Sequence, residues 1–197
     1  MVRAVEHPGP VDAPSGSPRE AAPRWRTRAN ALTAVRLAAA PACAPAIASG
    51  AQGAAFALFW LAVATDLVDG RVARRYGEAS PLGGLLDHAT DATFASLGLL
   101  AVALRGEAPL ALPVLVAAAF VQYVVDSRAT RGRALRASAL GRWNGIAYFA
   151  LLGVPVVRDG LGLGWPPAGL VHALGLALVA TTLASMLDRA LAARRAR

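Results

Sequence analysis

Residues 66–91 read DLVDGRVARRYGEASPLGGLLDHATD, and they place four aspartates inside otherwise apolar sequence. Asp66 and Asp69 are three residues apart, so on a helix they lie on one face. Gly70 and Ala73 continue that face over the next turn. The first half of the stretch therefore predicts a helix with an acidic stripe bordered by small residues.

The second half of the stretch predicts another acidic helix. Gly83, Asp87 and Asp91 follow one another at intervals of four residues, which again places them on one helical face. Ser80 and Pro81 supply turn chemistry before it, and proline is favoured at the first position of a helix. We predict that the two helices are neighbours whose acidic stripes face each other.

Four aspartates in apolar surroundings need a counter-charge, because an unpaired charge inside a membrane costs several kcal/mol. We expect a pair of divalent cations to supply it. The expected ligands are all oxygen atoms, with no converging Cys or His, and this set favours Mg²⁺ or Mn²⁺ over zinc. The alternative is a pair of acidic surface helices held by Arg71, Arg74 and Arg75, which the apolar flanking sequence disfavours.

The composition is that of an integral membrane protein. Hydrophobic residues make up 56% of the 197 residues, charged residues make up 16%, and the mean hydropathy is +0.47. The net charge is +8, and the basic residues, all arginine, cluster beside apolar segments, which favours membrane phosphate over nucleic acid as the partner. The single cysteine, Cys43, excludes an intrachain disulfide and is predicted to be a packing residue.

The apolar sequence divides into six segments, each close to the roughly 20 residues that a bilayer requires. They span residues 30–49, 54–75, 82–104, 108–127, 143–158 and 168–189. We therefore predict an all-α, polytopic membrane protein with six transmembrane helices, in which Gly153 and Pro155 interrupt the fifth. Residues 1–24, which are rich in proline and lack an apolar core, are predicted to be a disordered cytoplasmic tail, and residues 25–197 the membrane domain.

Arginine placement predicts the orientation in the membrane. Seventeen of the twenty arginines lie in the N-terminal tail, in residues 71–75, in the loop at residues 128–142 or at the C-terminus. Arg105 and Arg158 lie on the other side, and Arg36 lies within the first segment. Because positively charged loops stay in the cytoplasm, both termini and the acidic site are predicted to be cytoplasmic.

The spacing D-x2-D-G-x2-A-R-x8-G-x3-D-x3-D, from Asp66 to Asp91, resembles the signature of the CDP-alcohol phosphatidyltransferase family at every fixed position. The resemblance implies a metal-dependent enzyme of phospholipid biosynthesis in the cell membrane, with two Mg²⁺ or Mn²⁺ ions in a polar cavity at the cytoplasmic side. It also implies a homodimer. The expected reaction is transfer of a phosphatidyl group from CDP-diacylglycerol to an acceptor hydroxyl, with release of CMP.

The resemblance also implies a role for each aspartate of the stretch. It makes Asp66, Asp69 and Asp87 metal ligands. It makes Asp91 the base that takes the proton of the acceptor hydroxyl, in contact with a metal as well. A base one helical turn beyond Asp87 would lie near the β-phosphate of a lipid-bound substrate.

Small and polar residues near the aspartates are expected to contact the nucleotide. Gly70 and Ala73 leave room for it to lie against the helix backbone, and Arg74 can bind phosphate through its forked guanidinium. Upstream, Asn30 and Thr33 belong to the stretch NALTAVR, which is similar to the family pattern N-x-L-T-x-x-R, whose polar side chains approach cytidine and phosphates. Two alternatives stay open, namely that Asn30 is an N-cap and that Thr33 bonds the helix backbone.

Two further places of substrate contact are expected. Ser80 carries a hydroxyl before the third helix that can meet the nucleotide, or it is a turn residue ahead of Pro81. The loop at residues 128–142 holds five arginines, which either bind a phosphorylated polyol acceptor, such as glycerol 3-phosphate or inositol phosphate, or only set topology. Ala92 stands where phosphatidylglycerophosphate synthases of the family carry lysine, so the resemblance leaves the acceptor open.

Two other functions fit parts of the pattern. One is a transfer in which a CDP-linked head group goes to diacylglycerol. The other is cation transport along the four aspartates. Transport is disfavoured, because transporters place their sites near the membrane midplane, whereas these acids lie within about two turns of the arginine-rich cytoplasmic edge.

Overall fold

The computed structural model describes residues 27–78, 81–129 and 139–195. Its helices are α1 Arg28–Ala48, α2 Gln52–Arg75, α3 Pro81–Leu104, α4 Ala111–Ala129, α5 Ala139–Gly160 and α6 Ala168–Arg195. They overlap the six predicted apolar segments, so the all-α prediction is confirmed. The tail predicted for residues 1–24 lies outside the described residues.

Four of the helices, namely α1, α2, α5 and α6, are long and apolar enough to cross a membrane. α3 is not among them and carries Asp87, His88 and Asp91 in its first half, while the apolar part of α4, Ala111–Val125, is shorter. Large apolar side chains are exposed on all six helices. Because soluble proteins rarely expose so much apolar surface, these faces suit lipid, and the chain is a membrane protein. That all six helices cross the bilayer stays a prediction.

Helix α1 packs along both α2 and α3 and has its most extensive contacts with these two helices. Several of its buried side chains are small, among them Ala39, Ala40 and Cys43, and small residues let helices approach closely. Cys43 is buried, as predicted for a packing residue. Within the described ranges, α2 and α3 are not in extensive backbone contact with each other. The two acidic helices meet through their carboxylates, as predicted, and α1 packs along both of them.

Helix α5 packs against α2 and α3 through glycines. A Cβ atom added at Gly153 would lie 2.7 Å from the Phe59 ring, and one added at Gly98 would lie 2.6 Å from Leu152. A side chain at either position would force the facing Phe59 or Leu152 side chain to move, so the glycines permit this close approach of the helices. The predicted interruption at Gly153 and Pro155 is wrong, because α5 continues through both residues. A membrane helix tolerates an internal proline when its neighbours hold the freed backbone groups.

An ion-pair network closes the end of the bundle that lies away from the aspartates. Arg105 Nη2 lies 2.7 Å from Glu107 Oε1 and 2.6 Å from Asp159 Oδ2. Arg158 pairs with the same two acids, at 2.7 Å in each case. The two arginines that the sequence placed opposite the acidic site therefore lie together, at the C-terminal ends of α3 and α5. We call these four residues the far-end network.

Candidate active site

Four aspartates meet around one guanidinium. Arg36, on α1, has a side chain with no solvent exposure, and its Nη1 atom pairs with Asp66 while its Nη2 atom pairs with Asp87. Nη2 also lies 3.3 Å from Asp69 Oδ2. The remaining nitrogen, Nε, lies 3.3 Å from Asp91 Oδ1. We call the four acids the aspartate cluster.

The register of the helices explains this meeting. Asp66 and Asp69 lie one turn apart on α2, and Asp87 and Asp91 lie one turn apart on α3, as the sequence predicts. One carboxylate oxygen each of Asp66, Asp69 and Asp87 lie within 4.8 Å of one another. The prediction that the acidic stripes face each other is therefore confirmed for the carboxylates, with Arg36 of α1 placed among them.

The members of the aspartate cluster differ in exposure. The side chain of Asp69 is 8% exposed, whereas that of Asp66 is 44% exposed. Asp87 and Asp91 are intermediate. The cluster is therefore closed at Asp69 and open at Asp66, so that a ligand can reach it from the Asp66 side.

The first turns of α1 bring a second polar group to the cluster. Thr33 lies one turn before Arg36, is buried, and donates a hydrogen bond from its hydroxyl to Asp69 Oδ2 at 3.4 Å. Thr27 is the N-cap of α1, because its hydroxyl oxygen accepts from the N–H of Asn30 at 3.0 Å. The alternative that Asn30 is the N-cap is therefore wrong. Asn30 lies inside the first turn, three residues before Thr33.

The predicted nucleotide face of α2 is covered by its own arginine. Gly70 lies beneath Arg74, since a Cβ atom added at Gly70 would lie 3.5 Å from Arg74 Nη1. Ala73 is half-buried, and Arg74 is exposed. The guanidinium thus lies over the small residues that follow Asp69. Ser80 lies outside the described residues.

A histidine borders the cluster on the side of α4. The ring of His88 contacts the ring of Tyr123 on α4, with centroids 5.7 Å apart, so the histidine points toward a neighbouring helix. Arg189 of α6 lies over the same tyrosine ring. One nitrogen of His88 is also within 4.8 Å of carboxylate oxygens of Asp87 and Asp91. A nitrogen donor is therefore within reach, which the all-oxygen prediction did not include.

The donor atoms fit divalent cations. Asp66, Asp69 and Asp87 offer three carboxylate oxygens at mutual distances that one ion can span, and oxygen-rich sets of this kind suit Mg²⁺ and Mn²⁺. Formally, four carboxylates against one guanidinium leave three negative charges uncompensated within the cluster. Asp87, His88 and Asp91 form a second group with the same spacing, and Asp87 belongs to both.

Arg36, the last residue of the NALTAVR stretch, has acidic partners that the sequence did not predict. The sequence placed it within the first apolar segment and assigned it no partner. A single arginine inside an apolar helix is a signal in itself, because such a charge is costly unless it is paired. Its counter-charges were visible in the same sequence, in aspartates that also lie inside apolar segments.

The polar cavity predicted at the aspartates stays a prediction. Between the carboxylates, the side chain of Arg36 fills the space. A groove of about 420 Å³ lies beside the C-terminal half of α5. It is lined by apolar side chains together with Arg158 of the far-end network. That groove is remote from the acids and takes no part in the candidate site.

The sequence matches the model of the CDP-alcohol phosphatidyltransferase family over residues 26–189, which includes all six helices except the end of α6. The bundle and its aspartate cluster therefore lie within the region that matches a family of transferases of substituted phosphate groups. It belongs to the CDP-alcohol phosphatidyltransferase family.

Similar curated proteins come from two strains of Mycobacterium tuberculosis, CDC 1551 / Oshkosh and ATCC 25618 / H37Rv. Both are described as probable phosphatidylglycerophosphate synthases, and each is 34% identical to this chain over 94 residues. The matched stretch is 45% of this chain and 45% of each relative, so the similarity spans less than half of either protein. No solved structure gives a significant match.

Proposed function

We propose that the protein transfers a phosphatidyl group from CDP-diacylglycerol to the hydroxyl of an acceptor and releases CMP. The observation that supports this most directly is the meeting of Asp66, Asp69, Asp87 and Asp91 around one point, on two helices of a family member's membrane domain. The family acts on CDP-alcohols and hydroxyl acceptors. A diphosphate-bearing substrate needs cationic partners, and this cluster can hold them.

The aspartate cluster is the proposed metal site. Two ions, Mg²⁺ or Mn²⁺, bound by Asp66, Asp69 and Asp87 with help from Asp91, would neutralise the phosphoryl oxygens and the leaving CMP. The spacing of the carboxylate oxygens and the excess of negative charge support this assignment. The greater exposure of Asp66 supports entry of the diphosphate from its side of the cluster.

Residues around the cluster are proposed to bind the nucleotide. Arg74 lies over Gly70 and is exposed, so its guanidinium can turn to a phosphate and leave the backbone beside Gly70 and Ala73 open to the substrate. Asn30 lies one turn before Thr33 on α1, and the hydroxyl of Thr33 already contacts Asp69. Ser80 is proposed as a further contact from the sequence pattern alone.

Asp91 is proposed as the general base. The acceptor oxygen forms a bond to the β-phosphorus, its proton passes to a carboxylate oxygen of Asp91, and the bond from that phosphorus to the oxygen of CMP breaks. Asp91 Oδ1 is buried at 3.3 Å from Arg36 Nε without an aligned hydrogen bond, so it is less tightly held than Asp66 or Asp87. Proton transfer of this kind contributes roughly 10²–10⁴ in rate.

The acceptor is proposed to be a polyol phosphate, such as glycerol 3-phosphate or inositol phosphate. The description of the mycobacterial relatives, probable phosphatidylglycerophosphate synthases, supports this class of acceptor. So does the arginine-rich loop at residues 128–142, of which residues 130–138 lie outside the described part of the chain. Phosphatidylglycerophosphate synthases of the family carry lysine where this chain has Ala92. Inositol phosphate is therefore tested as an acceptor as well as glycerol 3-phosphate.

The protein is proposed to be a multi-pass protein of the cell membrane and a homodimer. Its termini and active site are proposed to face the cytoplasm. The arginine distribution supports this orientation, and so does the position of Arg105 and Arg158, which lie together at the end of the bundle away from the aspartates.

The test is CMP release by the full-length protein in lipid nanodiscs. Labelled CDP-diacylglycerol is supplied with a panel of polyols and polyol phosphates, with Mg²⁺ or with EDTA, and the lipid product is identified. We expect Mg²⁺-dependent CMP release with one polyol phosphate and a loss of at least about 100-fold in Asp91→Asn. Asp188→Asn, at an exposed aspartate on α6, is the matched control and should retain activity.

Two results would contradict the proposal. Full activity in Asp91→Asn would remove the base assignment. Absence of CMP release with every acceptor would remove the reaction, and labelled CDP-choline with diacylglycerol then tests the transfer of a head group instead.

A further inference from the structure

Arg36 is the cation of the aspartate cluster that the protein itself supplies. Its side chain is completely buried and all three of its nitrogens lie near carboxylates. Among the ion pairs of the described residues, no other arginine pairs with these four acids. Without Arg36, four carboxylates would therefore approach one another with no cation between them from the part of the chain that the structure describes.

The shape of the guanidinium matters as much as its charge. Arginine offers donors in a rigid planar fork, so that one side chain can bind several carboxylates in different directions. Here Nη1 pairs with Asp66 of α2 and Nη2 pairs with Asp87 of α3, so the fork ties two helices together from α1. Because α2 and α3 lack extensive backbone contact of their own in the described ranges, this tie holds the two halves of the cluster in register.

The same carboxylates are the ones that fit a divalent ion. Arg36 contacts Asp66, Asp69 and Asp87, whose oxygens form the three-ligand group described above. A guanidinium placed among these oxygens and a metal ion bound by them would each compensate the same negative charge. They are therefore alternative ways to stabilise one arrangement of helices.

We infer that Arg36 is a built-in counter-ion that holds the aspartate cluster together when divalent cations are absent, and that divalent cations relieve the cluster of its dependence on Arg36. The inference rests on the metal-binding role proposed for the aspartates. Arg36 acts here as a positioning residue, because it holds the aspartates in place. Its effect on the site is exerted through the aspartates.

The experiment is thermal unfolding of the full-length protein in detergent, with EDTA or with saturating Mg²⁺. Arg36→Met removes the charge and keeps an apolar side chain of similar length, so the variant is purified in Mg²⁺ throughout and chelated last. In EDTA we expect its melting temperature to fall by roughly 10 °C relative to wild type, since loss of one partner leaves buried charge uncompensated. In Mg²⁺ we expect at least half of that difference to disappear.

Two companion variants separate a counter-ion from a packing residue. Arg36→Lys keeps the charge without the fork and should fall between Arg36→Met and wild type in EDTA. Arg194→Met, at an exposed arginine on α6, should melt like wild type in both buffers. If Arg36→Met loses the same amount in EDTA and in Mg²⁺, or loses nothing in EDTA, the inference is wrong.

A binding measurement keeps the inference testable if Arg36→Met does not fold. Free Mn²⁺ is followed by electron paramagnetic resonance during titration of wild type and Arg36→Lys. Because lysine reaches fewer carboxylates than the forked guanidinium, it competes less with the metal, and Mn²⁺ should bind Arg36→Lys several-fold more tightly. Equal or weaker binding would overturn the inference.

The outcomes also distinguish this inference from the proposed function. If the wild type releases no CMP but Mg²⁺ restores the stability of Arg36→Met, the proposed reaction fails and the counter-ion role stands. If CMP release is Mg²⁺-dependent but the stability of Arg36→Met does not respond to Mg²⁺, the reaction stands and the counter-ion role fails.

Discussion

Asp66 on α2 and Asp87 on α3 are bridged by the two terminal nitrogens of Arg36 on α1. Two acidic helices that are not extensively packed against each other thus present their carboxylates to one point. The site is therefore built by three helices, and its geometry depends on how α1 packs along both of its neighbours.

The hydrogen bond between Thr33 and Asp69 predicts a specific defect. Thr33→Val keeps the shape of the side chain but removes the donor to Asp69 Oδ2, and it should cost about 1 kcal/mol of stability or less. Because Thr33 is also proposed to approach the nucleotide, KM for CDP-diacylglycerol should rise several-fold. Steady-state CMP release at varied substrate concentration measures this.

Thr65→Val is the matched control. Thr65 is buried on α2, and its hydroxyl bonds to the backbone carbonyls of Leu61 and Ala62. We expect little change in KM for this variant. Equal changes in KM for the two variants would show that Thr33 has no particular role at the nucleotide.

The close contact between Gly153 and Phe59 predicts an overpacking defect. Gly153→Val forces a side chain toward the Phe59 ring, where even a Cβ atom would lie only 2.7 Å away, and it should destabilise the protein by about 1–3 kcal/mol. Gly145→Val on the same helix is the control, since a Cβ atom there meets nothing within 4 Å. Thermal unfolding in detergent compares them, and similar melting temperatures would contradict the packing described for α5.

The far-end network is expected to contribute to the stability of the protein and to take no part in the reaction. Glu107 is buried and contacts both Arg105 and Arg158, so Glu107→Gln leaves Asp159 as the remaining acid of the network for both arginines and should cost about 2 kcal/mol. The network lies about 20 Å from Asp91 along α3. CMP release per folded molecule should therefore match wild type, whereas a selective loss of turnover would link this end of the bundle to the reaction.

The parts of the fold that follow from local patterns could be predicted from sequence. Apolar segments of membrane length predict helices, and a spacing of three or four residues places Asp66 with Asp69, and Asp87 with Asp91, on shared faces. The position of Arg36 among them could not be predicted, because it depends on which helix lies between α2 and α3. No local pattern encodes that order of packing.

Single residues that interrupt a pattern were harder to interpret. Gly153 and Pro155 predict a break when α5 is considered alone. In the structure the Phe59 ring of α2 packs against Gly153, and the helix continues through both residues. In the same way, Asn30 is a good N-cap residue by type. Thr27, three residues earlier, caps the helix instead, because its hydroxyl accepts the N–H of Asn30.

Anomalous X-ray scattering from crystals of the full-length protein grown with Mn²⁺ tests the central claim most directly. We predict anomalous peaks among the carboxylates of Asp66, Asp69, Asp87 and Asp91, and we expect these peaks to be lost in Asp69→Asn crystals grown in the same way. Well-ordered aspartates with no peak among them, or peaks only elsewhere on the molecule, would contradict it.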